Sequence, residues 1–195
     1  MRLHDLERWV LLNPLRIPLQ RIYEAPLLLG GLILPGGRCL DIGTGKGDFT
    51  LSVLRSTGCE EVVGVDLDPR LISLAHAHLR KRLEAERIHL AVADATALPF
   101  RDASFDAIFM TGVLHHIPDW EKVLAEAHRL LVPGGSLRLA EMVTRDLPGA
   151  VNRFLSHSDV SIAAIAGALS DLHLRVERIH PILRGRFVVV SARRS

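Results

Sequence analysis

The amino-acid sequence predicts an α/β fold built on a doubly wound, mostly parallel seven-stranded sheet with an antiparallel terminal strand. Two observations lead to this prediction. After residue 37, short β-branched apolar runs alternate with amphipathic stretches, which is typical of a parallel sheet covered by helices on both faces. Near the end of the chain, two strand-like runs lie only a few residues apart. This spacing is too short for a parallel crossover and requires antiparallel pairing.

Seven apolar runs are predicted as strands, and four amphipathic stretches between them are predicted as helices. The strands cover residues 38–42, 61–66, 88–93, 105–111, 136–143, 174–180 and 186–192. The helices cover residues 48–57, 68–87, 119–131 and 159–172. Asp68 followed by Pro69 is typical of a helix start, and Gly58 is typical of a helix end.

The first 36 residues precede the first predicted strand and read as a segment of their own. We predict that residues 1–36 form two amphipathic helices ahead of a single domain of residues 37–195. The preferred interpretation is a lid over the binding site that selects the substrate. A membrane-surface contact through residues 1–30 and a dimer interface stay open as alternatives, so a monomer or a homodimer is expected.

The overall composition is that of a globular protein. Of the 195 residues, 48% are hydrophobic and 24% are charged, and the net charge of +2 gives no strong signal for nucleic-acid binding. Cys39 and Cys59 lack metal-ligand or CxxC spacing, so neither a metal site nor a disulfide is expected. Acidic residues and prolines interrupt the apolar N-terminal stretch, which predicts a cytoplasmic protein without a signal peptide.

The glycine-rich stretch LDIGTGKGDF, residues 40–49, follows the first predicted strand, where a ligand-binding loop is expected. A P-loop is rejected because Leu40 stands where its first glycine belongs and Gly47 follows Lys46 in place of Ser or Thr. A dinucleotide-binding loop stays open as an alternative, although the glycine spacing differs and Asp41 would repel a pyrophosphate.

The third interpretation of this loop is a site for S-adenosyl-L-methionine, which carries an ammonium group, a sulfonium, a ribose and an adenine but no phosphate. Asp41 beside the loop suits the ammonium group, and Asp66 at the end of the second strand suits the ribose hydroxyls. Asp94 after the third strand and the backbone N–H of Ala95 suit the adenine ring. Because the carboxyl ends of parallel strands share one edge of the sheet, these three carboxylates are expected to lie together.

Four stretches of the sequence together resemble the motifs of the class I S-adenosylmethionine-dependent methyltransferases of the small-molecule type. They are CLDIGTGKGDFT, VVGVDLDP, AVADATALPFRDASFDAIFMTGVLHHIPD and RLLVPGGSLRLAE, so the resemblance covers roughly residues 37–142 and, in addition, the terminal hairpin. The resemblance implies a Rossmann-like fold, S-adenosyl-L-methionine as cofactor and S-adenosyl-L-homocysteine as product. It implies cofactor contacts at Asp41, Gly43, Thr44, Gly45, Gly47, Asp66, Leu67, Asp94, Ala95 and Thr111. Lys46 is expected to be exposed to solvent.

The methyl acceptor is expected to bind beyond the fourth strand. His115 and His116 follow that strand, where one of them could act as a general base or shape the pocket. The other substrate-side candidates are Trp9, Tyr23, Glu141 and His157. Methyl transfer from a sulfonium needs no metal.

A small-molecule or lipid-like acceptor is the preferred interpretation. The Asn/Asp-Pro-Pro-aromatic stretch typical of nucleic-acid amino-methyltransferases is replaced by Thr-Gly-Val-Leu at residues 111–114. The apolar N-terminal segment with its interspersed arginines favours a hydrophobic acceptor. Two other functions stay open, a nucleotide-dependent oxidoreductase and a non-catalytic cofactor-binding adapter.

Overall fold

A single seven-stranded sheet forms the centre of the molecule, whose computed structural model describes residues 25–80, 87–144 and 158–195. The strands are β1 (Arg38–Ile42), β2 (Glu61–Asp66), β3 (Ile88–Val92), β4 (Phe105–Thr111), β5 (Leu131–Met142), β6 (Leu174–Ile182) and β7 (Phe187–Arg194). Their order across the sheet is β3-β2-β1-β4-β5-β7-β6, and β7 runs antiparallel to both of its neighbours. The predicted α/β fold with an antiparallel terminal strand is therefore confirmed.

The predicted and observed strands differ mainly at β5. This strand begins at Leu131, five residues earlier than predicted, because Leu131 pairs with Phe105 before the register shifts and Ser136 pairs with Ala107. Two glycines next to a proline normally indicate a turn, and here they lie within a bulged extension of the strand.

The helices lie on both faces of the sheet. They are α1 (Ala25–Leu29), α2 (Asp48–Thr57), α3 (Pro69–Leu79), α4 (Trp120–Leu130) and α5 (Ile162–Asp171), with a 3₁₀ turn at Leu114–His116. The α3 helix starts as predicted, because the Asp68 carboxylate accepts a hydrogen bond from the Arg70 N–H at 2.8 Å. The α5 helix starts later than predicted, because Ser161 and not Asp159 caps it by accepting from the Ala164 N–H.

Strand alternation divides the core into two layers. On one face of the sheet, Ile108 and Met110 of β4 pack against α4 and α5. On the other face, Phe109 packs edge-on against Phe49 of α2, with ring centroids 5.9 Å apart. Burying one such aromatic side chain contributes about 2 to 3 kcal/mol, so these contacts fix which face each helix covers.

The α1 helix and the residues after it belong to this second layer. Leu28, Leu29 and Leu32 are buried beside Cys39 and Phe49. These three leucines therefore belong to the core of the sheet domain, whereas residues 1–24 of the predicted N-terminal segment lie outside the described residues. The domain boundary at residue 36 stays a prediction.

The β6–β7 hairpin ends at the same edge of the sheet as the carboxyl ends of β1–β5. Its tip, residues 183–186, is joined to the end of β5 by a hydrogen bond of 2.9 Å from the Val143 N–H to the Arg186 carbonyl. At the tip, Leu183, Arg184 and Gly185 have φ values of 50°, 57° and 82°. None of the helices in the described residues has the length and apolar character needed to cross a membrane.

Candidate active site

A cavity of about 420 Å³ opens at the carboxyl ends of β1, β2, β3 and β4, where ligands bind in open α/β sheets. Its walls come from four segments: the glycine loop after β1, the turn after β2, the turn after β3, and the chain from Thr111 to Asp119 after β4. The sheet topology thus brings together four stretches that are far apart in the sequence.

The glycine loop is held against β2 by backbone hydrogen bonds. The N–H groups of Gly43 and Thr44 both donate to the Val65 carbonyl, at 2.8 and 2.9 Å. Gly43 has a φ of 77°, and a Cβ there would lie 2.4 Å from Val113 Cγ2. Only glycine fits both the backbone conformation and this close approach to the wall after β4.

Two further glycines set the position of the loop from behind. A Cβ on Gly47 would lie 2.5 Å from Leu79 Cδ1, so Gly47 packs against α3 and does not line the cavity. A Cβ on Gly64 of β2 would lie 2.8 Å from the Thr44 hydroxyl. The prediction that Gly47 contacts the cofactor is corrected, because its open face is turned toward α3.

Asp66 lies at the centre of the cavity wall at the end of β2. Its carboxylate oxygens accept hydrogen bonds of 3.0 Å from the backbone N–H groups of Gly45 and Asp68, and burial raises the pKa of this carboxyl. These two bonds hold the side chain in one orientation. Each oxygen retains a lone pair with which it can accept from a ligand hydroxyl.

Asp94 lines the cavity on the side of β3. One of its oxygens, Oδ1, accepts hydrogen bonds from the Thr96 N–H at 2.8 Å and from the Thr96 hydroxyl at 2.7 Å. These two bonds lower the pKa of Asp94, so the side chain is an ionised acceptor at neutral pH.

Asp41, which was predicted to contact the ammonium group of the cofactor, is instead buried beneath the glycine loop and does not line the cavity. Its Oδ2 accepts a hydrogen bond of 2.5 Å from the Thr50 hydroxyl, which also contacts the Thr44 hydroxyl. Its Oδ1 is buried with no hydrogen-bond partner among the described residues. Burial raises the pKa of Asp41 to about 7, so this carboxylate is poorly stabilised by the protein itself.

The two adjacent histidines after β4 occupy different places. His116 lines the cavity, whereas His115 is buried behind it, and the two rings lie 3.9 Å apart. His115 Nδ1 forms a short hydrogen bond with Glu141 Oε1. His116 is therefore the histidine that lines the cavity, and a catalytic role for either residue stays a prediction.

Glu141 is a structural carboxylate behind the cavity wall. It was predicted to be a substrate-side residue, but it does not line the cavity. Its Oε2 accepts from the N–H groups of Val113 and Leu114 at 3.0 and 2.7 Å, and its Oε1 accepts from Met142 N–H at 2.8 Å. Burial raises its pKa, but the charge and hydrogen bond of His115 outweigh that effect and leave the pKa lowered. Glu141 thus anchors the 3₁₀ turn that carries both histidines.

The predicted cofactor residues that line the cavity are Gly43, Thr44, Gly45, Asp66, Leu67, Asp94, Ala95 and Thr111. Lys46 also lines it and is partly buried, so the prediction that it is simply exposed was wrong. Trp9, Tyr23 and His157 lie outside the described residues.

Sequence reasoning missed that several helix-start carboxylates also face the cavity. The acidic side chains in its wall are Asp48, Asp66, Asp68, Asp94 and Asp119. In the sequence, Asp68 and Asp119 stand at the starts of predicted helices, and the only signal for a second role was their place between a predicted strand and the helix that follows it. Against these five carboxylates, Lys46 is the one lysine or arginine among the lining residues that the structure describes.

This donor set fits S-adenosyl-L-methionine better than a phosphate-containing ligand. Asp119 pairs with Lys122 at 2.7 Å and Asp48 lies 3.2 Å from His78, so the excess of acidic side chains in the wall rests on Asp66, Asp68 and Asp94. This excess suits a sulfonium and an ammonium group and disfavours a pyrophosphate. The space in front of Gly45, where a Cβ would meet nothing within 4 Å, leaves the loop backbone accessible. Asp41, whose Oδ1 has no hydrogen-bond partner among the described residues, lies beneath the loop, where a bound cation would favour its ionised form.

Comparison with protein families and curated proteins agrees with this geometry. The family described as "Methyltransferase domain" matches residues 40–139. The chain is 36% identical over 113 residues to the ubiquinone/menaquinone biosynthesis C-methyltransferase UbiE of Geobacter sp. strain M21, which is 57% of this chain and 48% of that protein. It is 39% identical over 106 residues to a demethylmenaquinone methyltransferase of Thermus thermophilus, which is 53% of this chain and 46% of that protein.

Solved structures share the fold over nearly the whole chain. A geranyl diphosphate methyltransferase in complex with S-adenosyl-L-methionine superposes with a TM-score of 0.80 at 19% identity, covering 96% of this chain and 95% of that one. At this identity the likeness shows the fold alone. The chain spans about half the length of the curated relatives it matches.

Proposed function

Because this chain belongs to the methyltransferase domain family of class I S-adenosylmethionine-dependent enzymes, we propose that it transfers a methyl group from S-adenosyl-L-methionine to a small, apolar, uncharged acceptor. The observation that carries this proposal is the charge of the cavity. Among the residues that the structure describes, five carboxylates and one lysine line it, and one of the five, Asp119, pairs with Lys122. This excess of acidic side chains favours a cationic cofactor and disfavours an acceptor whose reacting end carries phosphate.

Asp66 and Asp94 are the residues proposed to hold the cofactor. The Asp66 carboxylate, fixed by its two backbone hydrogen bonds, accepts from the ribose hydroxyls, and Asp94 accepts from the adenine amino group. The glycine loop and Thr111 bound the methionine end, above the buried charge of Asp41. When bound, the cofactor would supply a methyl group carried on a positively charged sulfur. After the bond between methyl carbon and sulfur breaks, the sulfur would be the neutral thioether of S-adenosyl-L-homocysteine.

His116 is proposed as the proton acceptor. It is the histidine that faces the cavity, and a neutral imidazole takes a proton readily near pH 7. Where the acceptor attacks through a hydroxyl or an acidic C–H, His116 takes that proton as the new bond to the methyl carbon forms. His115 stays behind the wall and packs against His116.

The acceptor is proposed to be an apolar ring compound of the quinone-precursor kind. Val113, Ile117 and Pro118 form an apolar wall next to His116, and the relatives named above are quinone-biosynthesis methyltransferases. An oxidoreductase or a non-catalytic adapter has no comparable support, because curated relatives at 30% to 39% identity are named methyltransferases. Contact of residues 1–30 with a membrane, a monomeric or dimeric state and a cytoplasmic location remain predictions.

The cofactor assignment is tested by calorimetric titration with S-adenosyl-L-homocysteine. We expect micromolar or tighter binding to the full chain and a loss of about 100-fold or more in Asp66→Ala, which removes hydrogen bonds to a charged acceptor. Asp171→Ala, an exposed carboxylate at the end of α5, is the matched control and should bind like the wild type. Tight binding of NAD without binding of S-adenosyl-L-homocysteine would overturn the assignment.

The acceptor assignment is tested with labelled cofactor and a water-soluble hydroxynaphthoquinone. Wild-type protein should transfer label to it, and His116→Ala should lower kcat by about 100-fold or more with little change in cofactor affinity. A geranyl diphosphate probe should be methylated poorly, because the cavity is acidic. Preferential methylation of the diphosphate would contradict the proposed acceptor class.

A further inference from the structure

The tip of the β6–β7 hairpin combines an exposed apolar side chain with unneutralised positive charge. Leu183 is 60% exposed, and the side chains of Arg184 and Arg186 on its carboxyl side are exposed. Neither arginine forms an ion pair within the part of the chain that the structure describes, whereas Arg193 in the same hairpin pairs with Glu177 at 2.9 Å. The charge of the tip is therefore available to a partner outside the chain.

The backbone at the tip holds these side chains at an energetic cost. Leu183 and Arg184 have φ values of 50° and 57°, in the left-handed region that a residue with a Cβ occupies at a cost of about 1 to 2 kcal/mol. Asn and Gly are the residues that such a hairpin turn normally uses. A strained turn that keeps an exposed Leu and Arg in these positions is a candidate for a functional surface.

The tip lies at the same end of the sheet as the cavity, where the carboxyl ends of β1–β5 are found. Its backbone is bonded to Val143 at the end of β5, and β5 neighbours β4, whose carboxyl end carries the cavity wall. At about 4.8 Å between strands, the tip lies roughly 10 to 15 Å from the end of β4. A surface contacted by the tip would therefore also face the cavity.

Pro181 indicates that a protein strand is not the partner. It lies near the end of β6, the edge strand, and it is exposed. Because proline has no N–H to donate, it interrupts the row of donors that an added strand would need. An exposed apolar side chain beside two cationic ones instead suits the boundary between lipid headgroups and acyl chains.

We propose that the hairpin tip, residues 183–186, is the surface by which this protein rests on an anionic lipid bilayer. Leu183 enters between the headgroups, and Arg184 and Arg186 contact lipid phosphates. The contact places the cavity edge toward the bilayer, so a lipid-like acceptor can reach it from there. This inference rests on the proposed apolar acceptor for its purpose, but its physical basis is independent of that acceptor.

The test is flotation of the full chain with vesicles of equal parts phosphatidylglycerol and phosphatidylcholine, and with vesicles of phosphatidylcholine alone. Wild-type protein should bind the anionic vesicles in preference, and less as the salt concentration rises. The double variant Leu183→Asn/Arg184→Gly replaces the strained residues by ones that tolerate positive φ. It should melt at a higher temperature than the wild type and bind anionic vesicles at least tenfold more weakly.

Arg186→Ser should weaken binding about fivefold, the effect expected of one arginine at an anionic surface. Ile33→Asn and Arg55→Ser are matched controls for the leucine and the arginines of the tip. Ile33 is 69% exposed, Arg55 is also exposed, and both lie at the opposite end of the sheet, near the amino end of β1. Both controls should bind vesicles like the wild type. The gain in stability of the Asn/Gly variant excludes misfolding as the cause of its weaker binding.

Three outcomes would overturn the proposal: no preference of the wild type for anionic vesicles, unchanged binding in the Asn/Gly variant, or an equal loss in the two controls. Binding that disappears on removal of residues 1–24 but persists in the tip variants would place the contact elsewhere and also overturn it. Methylation of the water-soluble quinone without vesicles separates the two proposals. A protein that binds vesicles through the tip but does not methylate the quinone leaves the tip assignment standing and removes the acceptor assignment.

Discussion

Two fully buried carboxylates lie under the carboxyl edge of the sheet, and the protein treats them in opposite ways. Glu141, 1% exposed, accepts hydrogen bonds from three backbone N–H groups and from His115, and its pKa is lowered. Asp41, 0% exposed, accepts from the Thr50 hydroxyl through one oxygen, and the other oxygen has no partner among the described residues. Burial raises its pKa to about 7.

This comparison shows that the number of hydrogen-bond donors around a buried carboxylate, and not its burial alone, determines whether the protein stabilises its charged form. Glu141 is stabilised as an anion by the chain itself, so it serves the scaffold and holds the histidine turn in place. Asp41 is left without enough donors, so its charge would be stabilised only by a cation supplied from outside. The sulfonium cofactor proposed for the cavity above it is such a cation.

The largest expected effect comes from removing the satisfied carboxylate. Glu141→Ala should lower the free energy of unfolding by about 3 to 5 kcal/mol, because it leaves buried donors without an acceptor. Urea denaturation at pH 7 measures this change. Glu121→Ala, an exposed carboxylate on α4, should change stability by less than about 0.5 kcal/mol. A loss below about 1 kcal/mol in Glu141→Ala would contradict the scaffold role.

The pH dependence of this effect has a definite sign. The folded pKa of Glu141 lies below its ordinary value of 4.5, so its contribution is present above about pH 4.5 and is lost as the pH falls toward the folded pKa. The stability difference between the wild type and Glu141→Ala should therefore narrow below pH 4.5. A difference that stays constant down to about pH 3 would count against a charged Glu141 in the folded protein.

The next largest effect is a gain in stability from neutralising Asp41. Its folded pKa of about 7 lies above the ordinary 3.8, so its contribution is full below about pH 4 and is lost as the pH rises through 7. Asp41→Asn should therefore be more stable than the wild type by roughly 2 to 4 kcal/mol at about pH 8, and this advantage should disappear toward about pH 4. Thermal melting across this pH range measures it.

The affinity of Asp41→Asn for the cofactor tests whether Asp41, unlike Glu141, takes part in the binding site. If the buried charge attracts the cationic cofactor, Asp41→Asn should bind S-adenosyl-L-methionine more weakly while it melts at a higher temperature. The thioether S-adenosyl-L-homocysteine lacks the sulfonium charge, so its affinity should fall less. A variant that is both more stable and equally good at binding S-adenosyl-L-methionine would show that Asp41 has no part in the site.

The smallest effect concerns the Thr50 hydroxyl, which donates a hydrogen bond to Asp41 Oδ2. Thr50→Val keeps the shape of the side chain and removes the hydroxyl, which should cost about 1 to 2 kcal/mol at about pH 8 because the acceptor is charged. In the Asp41→Asn background the cost should be about half as large, because the acceptor is then neutral. A double-mutant cycle measured by urea denaturation gives this coupling, and additive effects would mean that the hydroxyl stabilises the loop through Thr44 instead.

The strand ends that carry the site could be predicted from the sequence. Asp66 and Asp94 each follow a short apolar run, and parallel strands place such residues at one edge of the sheet. Their inward position needed no knowledge of packing, because strand direction alone determines it. The same reasoning predicted the antiparallel hairpin from the short separation of its two strands.

What the sequence could not predict is which way adjacent side chains point. His115 and His116 are neighbours, and only the 3₁₀ turn, fixed by Glu141 from another strand, decides that His116 faces the cavity. Gly47 belongs to the same motif as Gly43, yet its open side is filled by Leu79 of α3. The orientations of these side chains depend on contacts between residues that are distant in the chain, and local sequence patterns carry no information about such contacts.

Gly64 in the middle of β2 links the sheet to the loop above it. It lies outside the cavity, yet a single methyl group there would press on the Thr44 hydroxyl at 2.8 Å and on Leu90 at 2.9 Å. The lack of a side chain at Gly64 therefore determines how closely the glycine loop packs against the sheet. Random mutagenesis aimed at cofactor affinity should find substitutions at this remote position, although no ligand would ever touch it.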